Sequence, residues 1–183
     1  EEEIGSLLKE KIYVPLVSEI ENLFLIPKVI ELVAKKQNIE NVDDLLEQTK
    51  AKTIKFLQEH LEEQSLLFAK KRCQNTINNI CNQPTSTIEE YKTSLDGVVD
   101  IVNPQEEYNK VREELQKIID DKDYLAALKV INNKGLLPST NLPNVFGWKK
   151  QYYIEYVIRL LESKDSASEE LCDIFREYVP VEI

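Results

Sequence analysis

Apolar positions recur along most of this chain at three-, four- and seven-residue steps, the spacing that lines one face of an α-helix. The longest such run opens after Asn41, with Asp43 and Asp44 near its positive end. It carries Leu46, Ile54, Leu57, Leu61, Phe68, Ile77 and Ile80 until Pro84 stops it. One helix of that length would reach about 60 Å, longer than a compact domain of this size needs. The run therefore either breaks, around Gln64-Ser65, or projects as one limb of a helical hairpin. The projecting limb is the favoured expectation, because two further helices are available to pack back along it. Ser86-Thr87-Ile88-Glu89 reads as a capping box for the first, ahead of Tyr91, Leu95, Val98 and Val99. Asn103-Pro104 opens the second with an N-cap and a proline at the first helical position, and Tyr108, Val111, Leu115, Ile118 and Ile119 form its stripe.

The flanks are helical too. Pro27 reads as the start of a helix with Val29, Ile30, Leu32 and Val33 on one face. Residues 121–128 predict a short helix, and residues 129–133 a brief strand or helix end before Gly135. The segment 138–147, with two prolines and two asparagines, predicts an irregular crossing or a lid. Residues 148–162 form an amphipathic pattern around Tyr152, Tyr153, Tyr156, Val157, Leu160 and Leu161. The last helix opens at Ser166-Ala167-Ser168-Glu169, buries Leu171, Cys172, Ile174 and Phe175, and ends at Pro180.

Alternation changes only once. Residues 12–17 (Ile-Tyr-Val-Pro-Leu-Val) read as a short strand, demoted toward a sheet edge by Pro15, and they hand over directly to Glu19 and Glu21. Two readings of that pair stand side by side. If the backbone stays extended through Ile20, both carboxylates face one pocket, and oxygen ligands of this kind suit Mg²⁺ or Mn²⁺. If the backbone is already helical at Ser18, then Ser18 and Glu21 form a capping box. The one Asp-x-Asp, Asp121-Lys122-Asp123, reads as a solvated turn between helices.

Composition narrows the partners. The 183 residues suffice for one domain carrying a helical arm, and 33 acidic against 23 basic residues give a net charge of −10. Such a surface repels phosphate backbones at long range except where Lys70-Lys71-Arg72 or Lys149-Lys150 overrides it. Cys73 and Cys81 lie on one predicted helix about 12 Å apart along its axis, too far for a disulfide. Cys172 is isolated and His60 reads as a helix-face residue, so the expected setting is reduced and cytoplasmic. No apolar run approaches the roughly 20 residues that span a bilayer, and no membrane partner is expected.

The run Val14–Ile30, with Glu19-Ile20-Glu21-Asn22-Leu23-Phe24 at its centre, resembles a segment of the OLD-type (overcoming lysogenisation defect) ATP-dependent nucleases and related TOPRIM-like domains fused to ABC-type ATPases. A second likeness lies in Ile131-Asn132-Asn133-Lys134, where the family carries isoleucine-asparagine-glycine-lysine; here Asn133 replaces the glycine. The resemblance implies metal ligation by Glu19 and Glu21, a catalytic role for Lys134, and a bacterial defence setting. It further implies that the chain is the C-terminal portion of a longer protein. An upstream ATPase/TOPRIM portion would then be its partner, nucleic acid the substrate of the whole, and the isolated portion inactive. The family's other carboxylates precede this segment, and only ten residues stand before Lys11.

The fold expected is thus mainly α: a helical bundle with one long projecting helix or hairpin, and one or two short strands left from an α/β, TOPRIM-like core. Residues 1–40 would be the strand-helix segment with the acidic pair, 41–120 the arm, and 121–183 a helical segment packing back on 1–40. A homodimer through the arm is a further expectation. The competing reading is a non-catalytic helical adaptor. The two differ in one geometric demand: the nuclease requires Lys134 within roughly 5–8 Å of the Glu19/Glu21 carboxylates.

Overall fold

In a computed structural model that describes residues 17–179, the chain is mainly helical, and no strand occurs among the described residues. The strand expected over residues 12–17 lies almost wholly outside them. The second candidate strand is not formed: Lys129 and Val130 close a helix, and Ile131–Asn133 follow without regular structure. A 3₁₀ helix, Ile20–Leu25, comes first, followed by α1 (Pro27–Lys36), α2 (Val42–Glu59) and α3 (Leu61–Cys81). Next are α4 (Ile88–Asp96), α5 (Val98–Ile101), α6 (Pro104–Asp120) and α7 (Tyr124–Val130). Two single-turn helices, α8 (Leu136–Ser139) and α9 (Leu142–Val145), lead to α10 (Lys150–Glu162) and α11 (Ser166–Tyr178).

The chain divides into two compact units, one made of residues up to Phe56 together with those from Lys122 onward, the other of Leu57–Asp121. The long apolar run is two helices, broken at His60 (φ −110°, ψ 15°) rather than at Gln64-Ser65. Gln64 and Ser65 lie instead on the buried face of α3, where the Ser65 hydroxyl bonds back to the Leu61 carbonyl (2.7 Å).

Within Leu57–Asp121, α3 and α6 are the most closely associated helices. They bury Leu61, Ala69, Val111, Leu115 and Ile119. Tyr108 and Arg112 both donate to the Glu62 carboxylate, holding it below the usual range, while Arg72 pairs with Glu114 at 2.6 Å. Asn103 caps α6 by accepting from Glu106 N, as its Asn-Pro signature predicts. The cap of α4 is Thr87, not Ser86, and its box partner is Glu90.

The other unit gathers around the 3₁₀ helix, which touches α1, α7, α8 and α10. Its core includes Leu25, Ile26, Val29, Ile30, Leu128, Ile131, Leu136, Tyr153 and Val157. The segment 138–147 is no lid: it forms the second half of α8 and all of α9, with Thr140, Leu142 and Pro143 buried. No helix among the described residues is long and apolar enough to cross a membrane.

Candidate functional site

The 3₁₀ helix begins where the backbone leaves the extended region. Glu19 is its N-cap (φ −125°, ψ 136°), and Asn22 N donates to Glu19 O at 2.9 Å. Ser18 therefore does not form a capping box with Glu21. Nor does the extended backbone continue through Ile20, so the arrangement that would aim both carboxylates into one pocket is not kept.

Proline explains much of what surrounds this helix. The 3₁₀ partner of the Phe24 carbonyl would be the amide of residue 27, and Pro27 has none. A hydroxyl from elsewhere in the chain fills the gap: buried Tyr153 donates to Phe24 O at 3.0 Å. Tyr124, also buried, donates to the neighbouring Leu25 O. Burial pushes both phenols well above their ordinary range. Asn22, 1 % exposed, sends both bonds of its amide across the unit, to Leu128 O and Ile131 O, each at 2.9 Å. It thus satisfies carbonyls at the C-terminal end of α7.

Those bonds draw the second sequence motif against the first. After α7 the chain passes Ile131 in an extended conformation and turns at Lys134 and Gly135. Asn133 Oδ1 accepts from Gly135 N at 2.8 Å. A Cβ at Gly135 would stand 2.9 Å from that oxygen, so a larger residue here would push the Asn133 side chain aside. Lys134 is exposed, and its carbonyl accepts from Lys150 Nζ at 3.0 Å. The same ammonium stands 2.6 Å from Glu21 Oε2, with 31 % of the Lys150 side chain and 22 % of the Glu21 side chain exposed. Glu21 and the Lys134 turn, far apart in sequence, thus meet on either side of one cation.

Lys150, the residue that joins them, appeared in the sequence only as half of a basic pair. Its signal was position: it opens the amphipathic pattern whose buried face includes Tyr153.

The described residues by themselves do not complete a site for a divalent ion. Glu21 Oε2 is sealed from solvent and faces an ammonium. Among the described residues no group of three His, Cys, Asp or Glu side chains could hold a metal. The Asp-x-Asp is a turn: Asp121 ends α6, Lys122 is left-handed (φ 52°), and Asp123 caps α7 through Ala126 N. His60 sits at the break between α2 and α3, and the three cysteines are free thiols.

Beside this site α10 brings aromatic rings together. Trp148 lies 5.1 Å from Phe146 in a stacked pair, 4.7 Å from Tyr156 and 5.1 Å from Tyr152, the last edge-on at 64°. An open cleft of about 440 Å³ is lined by Gly147, Trp148, Lys149 and Tyr152. In the unit Leu57–Asp121 a separate apolar groove of about 620 Å³ runs past Leu66, Ala69, Cys73, Ile77, Pro104 and Tyr108. Compared with family models, with curated proteins and with solved structures, the chain matches none.

Proposed function

We propose that this chain is the C-terminal, helix-rich portion of a TOPRIM-type nuclease linked to an OLD-like ATPase, and that the Glu21–Lys150–Lys134 junction is its contribution to the catalytic site. One observation carries the reading. Two motifs more than a hundred positions apart are tied together by Asn22 and by a single ammonium that contacts both Glu21 and the Lys134 turn. A purely structural helix bundle has no need to tie a lysine-bearing turn to a partly shielded acid–lysine pair. In this proposal Lys134 faces the scissile phosphate, where a positive charge stabilises the anion that develops. Lys150 holds the Lys134 turn and Glu21 in register. Glu19 and Glu21 would supply part of a Mg²⁺ or Mn²⁺ ligand set that other parts of the whole protein complete, so this portion by itself would hold the ion only weakly.

The competing reading, a non-catalytic adaptor, is favoured by the ion pair itself, since Lys150 already compensates the charge of Glu21. A Mn²⁺ titration followed by NMR separates the two. The nuclease portion should show paramagnetic broadening of the amides of residues 19–24 and 132–135 together, and Lys150→Ala should strengthen it by freeing Glu21. Broadening of neither stretch up to about 1 mM metal, in both wild type and Lys150→Ala, leaves the adaptor.

A further inference from the structure

We infer that the cleft formed by Trp148, Lys149 and Tyr152 binds single-stranded nucleic acid, taking a base against the rings and its phosphate at the head of α10; the inference names the substrate class for the proposed nuclease and rests on that reading for its purpose. Tyr152 keeps 45 % of its surface exposed although it belongs to an apolar cluster. Its ring meets Trp148 edge-on and leaves a cleft open to solvent. Phe146 and Tyr156 back Trp148 from within, so the indole is already held in place before any ligand arrives. Gly147 lines the cleft with φ +72°, and a Cβ there would meet nothing within 4 Å, so this side of the cleft is open.

The charge at this cleft suits a phosphate. The α10 N-cap is Lys149, whose side chain makes no capping bond, and the first turn holds no acidic residue. The first amides of α10 therefore have no side-chain acceptor and carry the positive end of the helix. Exposed Lys149 adds a cation, and exposed Lys134 lies in the turn whose carbonyl Lys150 holds. A base offered to a ring must show its flat face, which a paired and stacked duplex base cannot do. The net charge of −10 also opposes a long duplex track, whereas one or two nucleotides need only the local lysines.

Trp148 is the sole tryptophan, so its fluorescence reports this cleft alone. A short oligothymidylate, titrated without metal at about 50 mM salt, should quench it saturably, and a duplex of equal length should quench far less. Tyr152→Ala should weaken binding about tenfold, with Tyr152→Phe restoring it, as a stacking role requires. Lys149→Ala should lower the salt slope by about 0.7. The inference is overturned by no quenching up to about 1 mM strand, by equal quenching with duplex, or by an abasic oligomer binding as tightly as oligothymidylate. It is likewise overturned if Tyr152→Ala binds as wild type. Strand binding with no metal response would remove the nuclease reading and keep the cleft; the reverse result would remove the cleft alone.

Discussion

Tyr153 shows how one side chain answers a defect made by another. Pro27 starts α1 well but cannot donate to Phe24 O, and the Tyr153 phenol supplies the missing hydrogen. Tyr153→Phe keeps the ring and removes only that donor, leaving a carbonyl in the core without it. The expected loss is about 1–3 kcal/mol of unfolding free energy, read from urea denaturation at neutral pH. The pH dependence has a definite sign. Burial raises the folded phenol above its ordinary value, so its contribution is complete below about pH 10 and falls as pH climbs beyond it, where only the unfolded chain releases the proton. Wild type should therefore lose stability more steeply above pH 10 than Tyr153→Phe; parallel alkaline limbs would contradict this. Pro27 as a helix start was legible from sequence, but the identity of its rescuer was not, because Tyr153 looked like any other apolar position in its stripe.

At the scale of the element, helices were legible and their exact caps were not. Asn103-Pro104 leaves little choice, and α6 begins there. Where candidates are adjacent, the chosen cap is the residue the incoming chain leaves extended: Thr87 (φ −133°, ψ 158°) over Ser86, and Asp165 (φ −100°, ψ −179°) over Ser166. The Asp165 carboxylate accepts from Ser163 Oγ at 2.8 Å, from Ala167 N at 2.9 Å and from Ser168 N at 3.1 Å, and Lys36 Nζ stands 3.3 Å away. The Ser163 hydroxyl is the main influence holding its pKa down to about 2, with the Ser168 amide and Lys36 adding to it. A depressed acid stabilises above its unfolded value and ceases to do so as pH falls through the folded one. Amide protection in the first turn of α11 should accordingly drop between about pH 4 and pH 2, and the Asp165 carboxyl resonance should titrate near the lower limit. An Asp165 midpoint near 4 would show that these bonds do not hold in solution. The break at His60 follows the same lesson. Apolar periodicity passes straight through it, and only the burial of Gln64 and Ser65 distinguishes the break from the site expected.

Over the whole molecule, one unit is continuous in sequence and the other is assembled from both sides of it. The assembled unit depends on bonds between residues more than a hundred apart, such as Asn22 to Ile131 and Tyr153 to Phe24, whereas Leu57–Asp121 depends on two helices and their surface pairs. Native-state hydrogen exchange should give the buried amides of Val111 and Leu115 one opening free energy and those of Val29, Leu128 and Val157 another. One common value for all five, moving together with denaturant, would mean a single cooperative unit. Helical class, most helix locations and the acidic charge were determined by the sequence itself, because they depend on spacing within a few residues and on composition. The same holds for the starts at Pro27 and Asn103. Tertiary structure alone decided that Glu21 faces Lys150, that Asn22 ties α7 to the 3₁₀ helix, and that Trp148 and Tyr152 frame an open cleft. Each of these is a short-range interaction between groups distant along the chain, so no local pattern of residues encodes it.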